Sequence, residues 1–216
     1  MKIISQRIQT LSKLMELKLD FGWMQIDGKA FTLLIEGIIG CQSLKILDLD
    51  LKWNQIKSIQ LSQNLGLSKS KIEKINLNLR SSQANCQCLK NILDFLSQIP
   101  FLQDVSLHIQ SNPLSGDTIL IGQSISKMKI SQLSLNIEES NLNNKDIVDL
   151  LSASSSNNQI CQLYLDLREN KFDQTCLNNL EEQLPNFQNL KILNYKMDFI
   201  LKQFIKAPRL VEFIKL

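Results

Sequence analysis

Glycine and proline are scarce, at seven and four of 216 residues. The glycines are scattered, so no glycine-rich loop is available to cradle a phosphate. Histidine occurs once, at His108. Catalysis by that imidazole needs a positioned nucleophile or acid beside it, and aligned neighbouring segments offer only Asn78 and Asn136, so no enzyme activity is expected. Charge of one sign is lacking too: the net is +3, too little to pull the chain toward nucleic acid or a membrane. No apolar run reaches the roughly 18 residues of a membrane span. The best candidate, FTLLIEGIIG, is interrupted by Glu36.

The five cysteines, at positions 41, 86, 88, 161 and 176, follow neither a disulfide framework nor zinc-ligand spacing. Reduced and mostly buried thiols are expected. The start, MKIISQRIQTLSKL, has no long apolar centre and no small-residue cleavage site, and Arg7 is its only arginine. A cytoplasmic protein is therefore expected, not a secreted or mitochondrial one, with cytoskeletal or ciliary association left open. The carboxylates Asp20, Asp48 and Asp50 are flanked by Lys18 and Lys52 and lack calcium-loop spacing, so no metal and no cofactor are expected.

What the chain does have is hydrophobic content of 44%, enough for a core, and a repeat. LMELKLDF starts at Leu14, LKILDLDL at Leu44, IEKINLNL at Ile72 and LQDVSLHI at Leu102. ISQLSLNI follows from Ile130, ICQLYLDL from Ile160 and LKILNYKM from Leu190. A period of 28 to 30 residues signals a stacked array. In each unit the first half alternates with period two and reads as a strand. The second half carries apolar residues at helical spacing, such as Phe31, Leu34 and Ile38. Between the halves stand Asp27, Lys57, Asn85, Ser115, Asn143 and Asp173, five of which are favoured helix N-caps. A strand, a turn, a capped helix and a return are thus expected in every unit. Strands joined through helices must run parallel. Strands stack about 4.8 Å apart and helices about 10 Å apart, a mismatch that curves the array.

LDLDLKWNQI and LYLDLRENKF place Asn54 and Asn170 where the chain leaves the strand, and Asn112 fits in LHIQSNPL. In these features the chain resembles the leucine-rich repeat family, in its ribonuclease-inhibitor-like, long-repeat branch, over about residues 14–200. The amino-acid usage resembles that of AT-rich protist genes such as those of ciliates. Met24, Ser82 and Ser140 depart from the asparagine pattern, with Asn141 as a substitute one residue late. The resemblance implies an α/β fold: a curved solenoid with a parallel sheet on the concave face and helices on the convex face. The expected organisation is an amphipathic cap over residues 1–13 (Ile4, Ile8, Leu11), seven units over 14–209 and a partial eighth strand at 210–216. That last segment, LVEFIKL, is a candidate for docking to a larger assembly or a second copy.

The resemblance also implies a non-catalytic scaffold or adaptor with a protein partner on the concave face. Outward positions there are Lys18 and Asp20, Asp48 and Asp50, Asn76 and Asn78, Ser106 and His108. Ser134 and Asn136, Tyr164 and Asp166, and Asn194 and Lys196 complete the series. The surface, of about 600 Å², approaches the ~800 Å² per partner of a standard interface. Trp23 and Trp53 occupy the same position in adjacent units, with Phe199 in the seventh, and paired aromatics are enriched in binding hot spots. The alternative is an RNA- or ribonucleoprotein-associated protein using Lys69, Lys71, Lys74 and Arg80, or Lys202, Lys206, Arg209 and Lys215. It would bind with steep salt dependence.

Overall fold

The computed structural model describes residues 1–61 and 67–198. Seven five-residue strands form one parallel sheet: β1 (Glu16–Asp20), β2 (Ile46–Asp50), β3 (Lys74–Asn78), β4 (Asp104–His108), β5 (Gln132–Asn136), β6 (Gln162–Asp166) and β7 (Ile192–Lys196). Their order in the sheet is their order in the chain. Glu16 lies opposite Ile46, which lies opposite Lys74, then Asp104, Gln132, Gln162 and Ile192. The steps of that register are the steps of the sequence repeat. The α-helices are α1 (Lys2–Gln9), α2 (Gly28–Ile39), α3 (Cys86–Leu96), α4 (Thr118–Ser126), α5 (Asn144–Ser154) and α6 (Cys176–Gln183).

Alternation decides which strand face is covered. Leu47 and Leu49, Ile75 and Leu77, Val105 and Leu107, and their equivalents through Leu165 are all buried, in one cluster with the apolar side of the helices. The intervening residues stay partly exposed in every strand. A strand with one covered and one wet face is written as this period-two pattern.

The turns show why the asparagine can be missing from every second unit. Asn112 is buried; its Nδ2 donates to the carbonyls of Ile109 and Gln110 in its own unit and of Leu79 in the preceding one. Its Oδ1 accepts from Ser82 and Ala84, again in the preceding unit. Asn170 does the same for Ser140 and Leu142, and Asn54 for Ile26. One amide therefore satisfies the turn backbone of two units. Ser82 adds a bond from its hydroxyl back to the Leu51 carbonyl. Asn141 is exposed and serves no such role, contrary to the sequence expectation. Its backbone, at φ 61°, turns it out of the stack.

Caps follow the same alternation. Asp27, Asn85 and Asn143 each accept from a first-turn N–H of α2, α3 and α5, Asn143 within a reciprocal capping box with Asp146. Ser115 and Asp173 do not cap: α4 starts after Asp117 and α6 after Thr175, neither with a side-chain cap bond. Lys57 caps nothing either. Among the described residues the second unit has no α-helix, only a short 3-10 turn at Leu67–Lys69. Its chain instead runs past α2 and α3. Thr32 of α2 donates to the Gln60 carbonyl, while Cys88 and Asn91 of α3 donate to Ile56 and Ile59. Gly28 permits that path, because a Cβ there would lie 1.5 Å from the Ser58 carbonyl oxygen.

At the N-terminal end α1 packs on α2, with Ser5 against Gly37 and Ile8 in the core. Leu11, expected in the cap, is 46% exposed because the helix stops at Gln9 and the chain turns away. Phe199, the basic residues from Lys202 to Lys215 and the expected eighth strand at 210–216 lie outside the described residues. No described helix is long and apolar enough to cross a membrane.

Candidate functional site: a polar strand face and a tryptophan margin

Strand register brings the sequence-predicted residues into two rows. Lys18, Asp48, Asn76, Ser106, Ser134, Tyr164 and Asn194 form one, and Asp20, Asp50, Asn78, His108, Asn136, Asp166 and Lys196 the other. In the first row Asp48 joins two strands. It takes an ion pair from Lys18 at 2.9 Å and a hydrogen bond from the Asn76 amide at 2.9 Å. The side-chain Oδ1 of Asn76 is buried without a partner among the described residues. Tyr164 donates to Gln162 in its own strand at 3.2 Å.

The second row has a local task. Asp20, Asp50, Asn78, Asn136 and Asp166 each accept from the backbone N–H two residues on, which closes the turn that ends the strand. Asp50 also holds Lys52 at 2.8 Å, and Asp166 holds Arg168 through two bonds of 2.8 and 2.7 Å. Burial raises both carboxyls, but the bonds from Lys52 and from Arg168 outweigh it and hold them below the usual range. These acids are thus substantially neutralised in place. His108 and Lys196 take no part in this turn bond, and His108 is the row's one imidazole. It stands between Asn78 and Asn136, as the sequence alignment placed it, with Nε2 3.5 Å from the Ser106 hydroxyl. Burial pushes its pKa down, against a smaller upward pull from Asp48 and Asp50.

Beyond the second row, the chain makes the same sharp bend in six units. Trp23, Trp53, Ser81, Ser111, Glu139 and Glu169 all have φ between 51° and 62°. Their N–H groups, from Trp23 to Glu139, continue the ladder by donating to the next unit, as Trp53 does to Arg80 at 2.8 Å. Trp23 and Trp53 stack with ring centroids 4.6 Å apart and planes 12° from parallel. They remain 67% and 43% exposed.

An open groove of about 660 Å³ begins at Trp53 and crosses the turns of units two to five. Ser81, Ser111 and Glu139 continue its wall, with Arg80, Gln83 and Pro113 beside them and Lys57 and Asn85 on the helix side. Sequence reasoning placed the tryptophans together but missed the groove. The usable signal was the shared position nine residues after each unit start, which groups Ser81, Ser111 and Glu139 with Trp53.

The four cysteines 41, 86, 88 and 176 are buried, and Cys161 is partly exposed; none is in a disulfide. Burial pushes the thiols of Cys86 and Cys88 up to about 12 and that of Cys176 up to about 11. Among the described residues no group of three or more His, Cys, Asp or Glu side chains is placed to hold a metal. No protein-family model matches the chain, and no curated protein matches it.

Proposed function

We propose that the chain is a leucine-rich repeat solenoid of the ribonuclease-inhibitor-like type that holds a protein partner and catalyses nothing itself. The reading of the fold is supported by the parallel strands in chain order, the unit-to-unit register and the asparagines that bond two turns at once. Units with a strand on one side and a thicker helix on the other curve with the sheet inside. Seven stacked strands would then present a concave polar face.

The single observation that carries the function is the pairing of that uncovered face with two exposed, stacked tryptophans at its margin. Large aromatics are enriched among the anchors of protein contacts, so the pair would mark the centre of a contact that extends from the margin onto the strand face. The RNA reading has less support. Lys74 is paired with Asp104 at 2.7 Å, and it starts the strand that Arg80 leaves about 20 Å away, so these two cations stand at opposite ends of β3. Buried thiols suit a reducing compartment, and a cytoplasmic setting is part of the proposal.

Affinity purification from native cell extract with mass-spectrometric readout tests it, comparing the wild-type chain with Asp48→Lys at low and moderate salt. A protein retained at moderate salt and lost with the variant is the expected result. Recovery of RNA alone, released on raising salt and indifferent to the variant, would overturn the reading.

A further inference from the structure

Resting on that partner-binding reading, we infer that the groove beside the tryptophan pair takes an extended acidic peptide segment of the partner, with an aromatic or proline ring next to its carboxylates. The first argument is conformational. The bend after each strand needs a left-handed backbone, which bulky side chains rarely adopt and which is strained at a non-glycine residue. Serine fills the same position in units three and four, and glutamate in units five and six. The fold does not ask for tryptophan there, and neither ring joins the core. Two large rings are nonetheless held out together at the mouth of the groove.

The second argument is charge. Lys57 and Arg80 line the groove, are exposed, and make no ion pair among the described residues. Glu139 at the far end is already engaged by the Ser111 hydroxyl at 2.6 Å. In the neighbouring strand row Asp50 is held by Lys52 and Asp166 by Arg168. Two cations against the one carboxylate of Glu139 leave the net charge of the groove positive, and both cations stand toward its tryptophan end. α3 also begins at its wall, after Asn85, with the positive end of its dipole there.

Shape is the third. The volume lies in the range of formed ligand sites of about 300–1,000 Å³. The groove crosses four successive units instead of closing into a pit, and Ser81, Gln83 and Ser111 offer hydrogen bonds along it. Such a track fits a chain. A single-stranded nucleic acid could stack on the rings as well, but it places a phosphate at every step and would meet Glu139 where it needs a cation.

The experiment selects a random-peptide phage library on the immobilised full chain and then titrates a selected synthetic peptide. The chain's only tryptophans, two in number, are these two, so their emission reports the site directly. Expected are peptides enriched in Asp or Glu beside Trp, Phe, Tyr or Pro, which shift that emission saturably. Lys57→Glu/Arg80→Glu should weaken them about tenfold or more with the melting temperature unchanged. Trp53→Ser, which places at this bend the residue units three and four already carry, should weaken them as well.

Basic or neutral selected peptides, no enrichment, or indifference to the charge reversal would overturn the inference, as would tighter binding of oligouridylate than of peptide. The scaffold reading is separable. A partner still captured by the Lys57→Glu/Arg80→Glu chain and lost with Asp48→Lys would keep that reading and discard this one.

Discussion

Asn112 and Asn141 are both asparagines at a strand-to-helix turn, yet their expected contributions differ by a wide margin. Asn112 is 3% exposed and satisfies five backbone groups. Replacing it with alanine strands several of them away from water, and Asn112→Ala should cost about 3 kcal/mol or more. Asn141→Ala should stay within ~0.5 kcal/mol, since the side chain is exposed. Urea denaturation of the two variants checks the contrast; equal losses would mean that the bonding of alternate units is misread. The thiols give a second test. In the fold Cys86 and Cys88 keep their protons up to about 12, against an ordinary value of 9.0 in the unfolded chain. Above pH 9 the unfolded state therefore binds fewer protons than the folded one. The stability they contribute is fully present below pH 9 and is lost as pH rises toward 12. A thiol reagent at pH 8 should modify Cys161 first in the native protein and all five cysteines only after unfolding.

Among the elements, the second unit departs furthest from expectation. Its sequence, KSIQLSQNLGLSKSK, carries apolar residues that can be fitted to a helical period. The position that caps its neighbours is Lys57, which has no side-chain oxygen to accept from a first-turn N–H. Its described residues 56–60 are bonded instead by Thr32, Cys88 and Asn91 from the helices on either side. These are contacts between residues 28 to 32 positions apart, and no local pattern reports them. Gly28 is the clearest sign of them. Gly28→Ala forces a methyl into the Ser58 carbonyl and should cost about 2–3 kcal/mol by overpacking, although alanine favours the helix. A thermal melt in which the variant is as stable as wild type would remove the proposed path of this segment.

Among the described residues each strand packs mainly on the strands before and after it, and packing between helices follows the same rule. Stability should then be graded by position. Leu49 is fully buried between β1 and β3, whereas Leu17 on the edge strand β1 is only partly covered. Leu49→Ala should cost about 2–5 kcal/mol and Leu17→Ala about 1 kcal/mol. Hydrogen exchange should be slowest in β3, β4 and β5 and faster in β1. Uniform protection across all strands would contradict nearest-neighbour stacking.

The repeat length, the parallel strands, the buried rows and the closeness of Trp23 and Trp53 were all legible in the order of residues. Each follows from a short-range periodicity that recurs at a fixed spacing, and the stack merely superimposes the copies. Three things needed the folded chain. The groove is built from residues of four units, so it exists only once their turns are laid side by side. The sharing of each asparagine by two turns, which excuses Met24, Ser82 and Ser140 from the pattern, is a bond between units. The path of the second unit's described residues, which form no α-helix, was decided by what α2 and α3 offer their backbone. Periodicity fixes which face a residue takes; partners in neighbouring units decide what that residue does there.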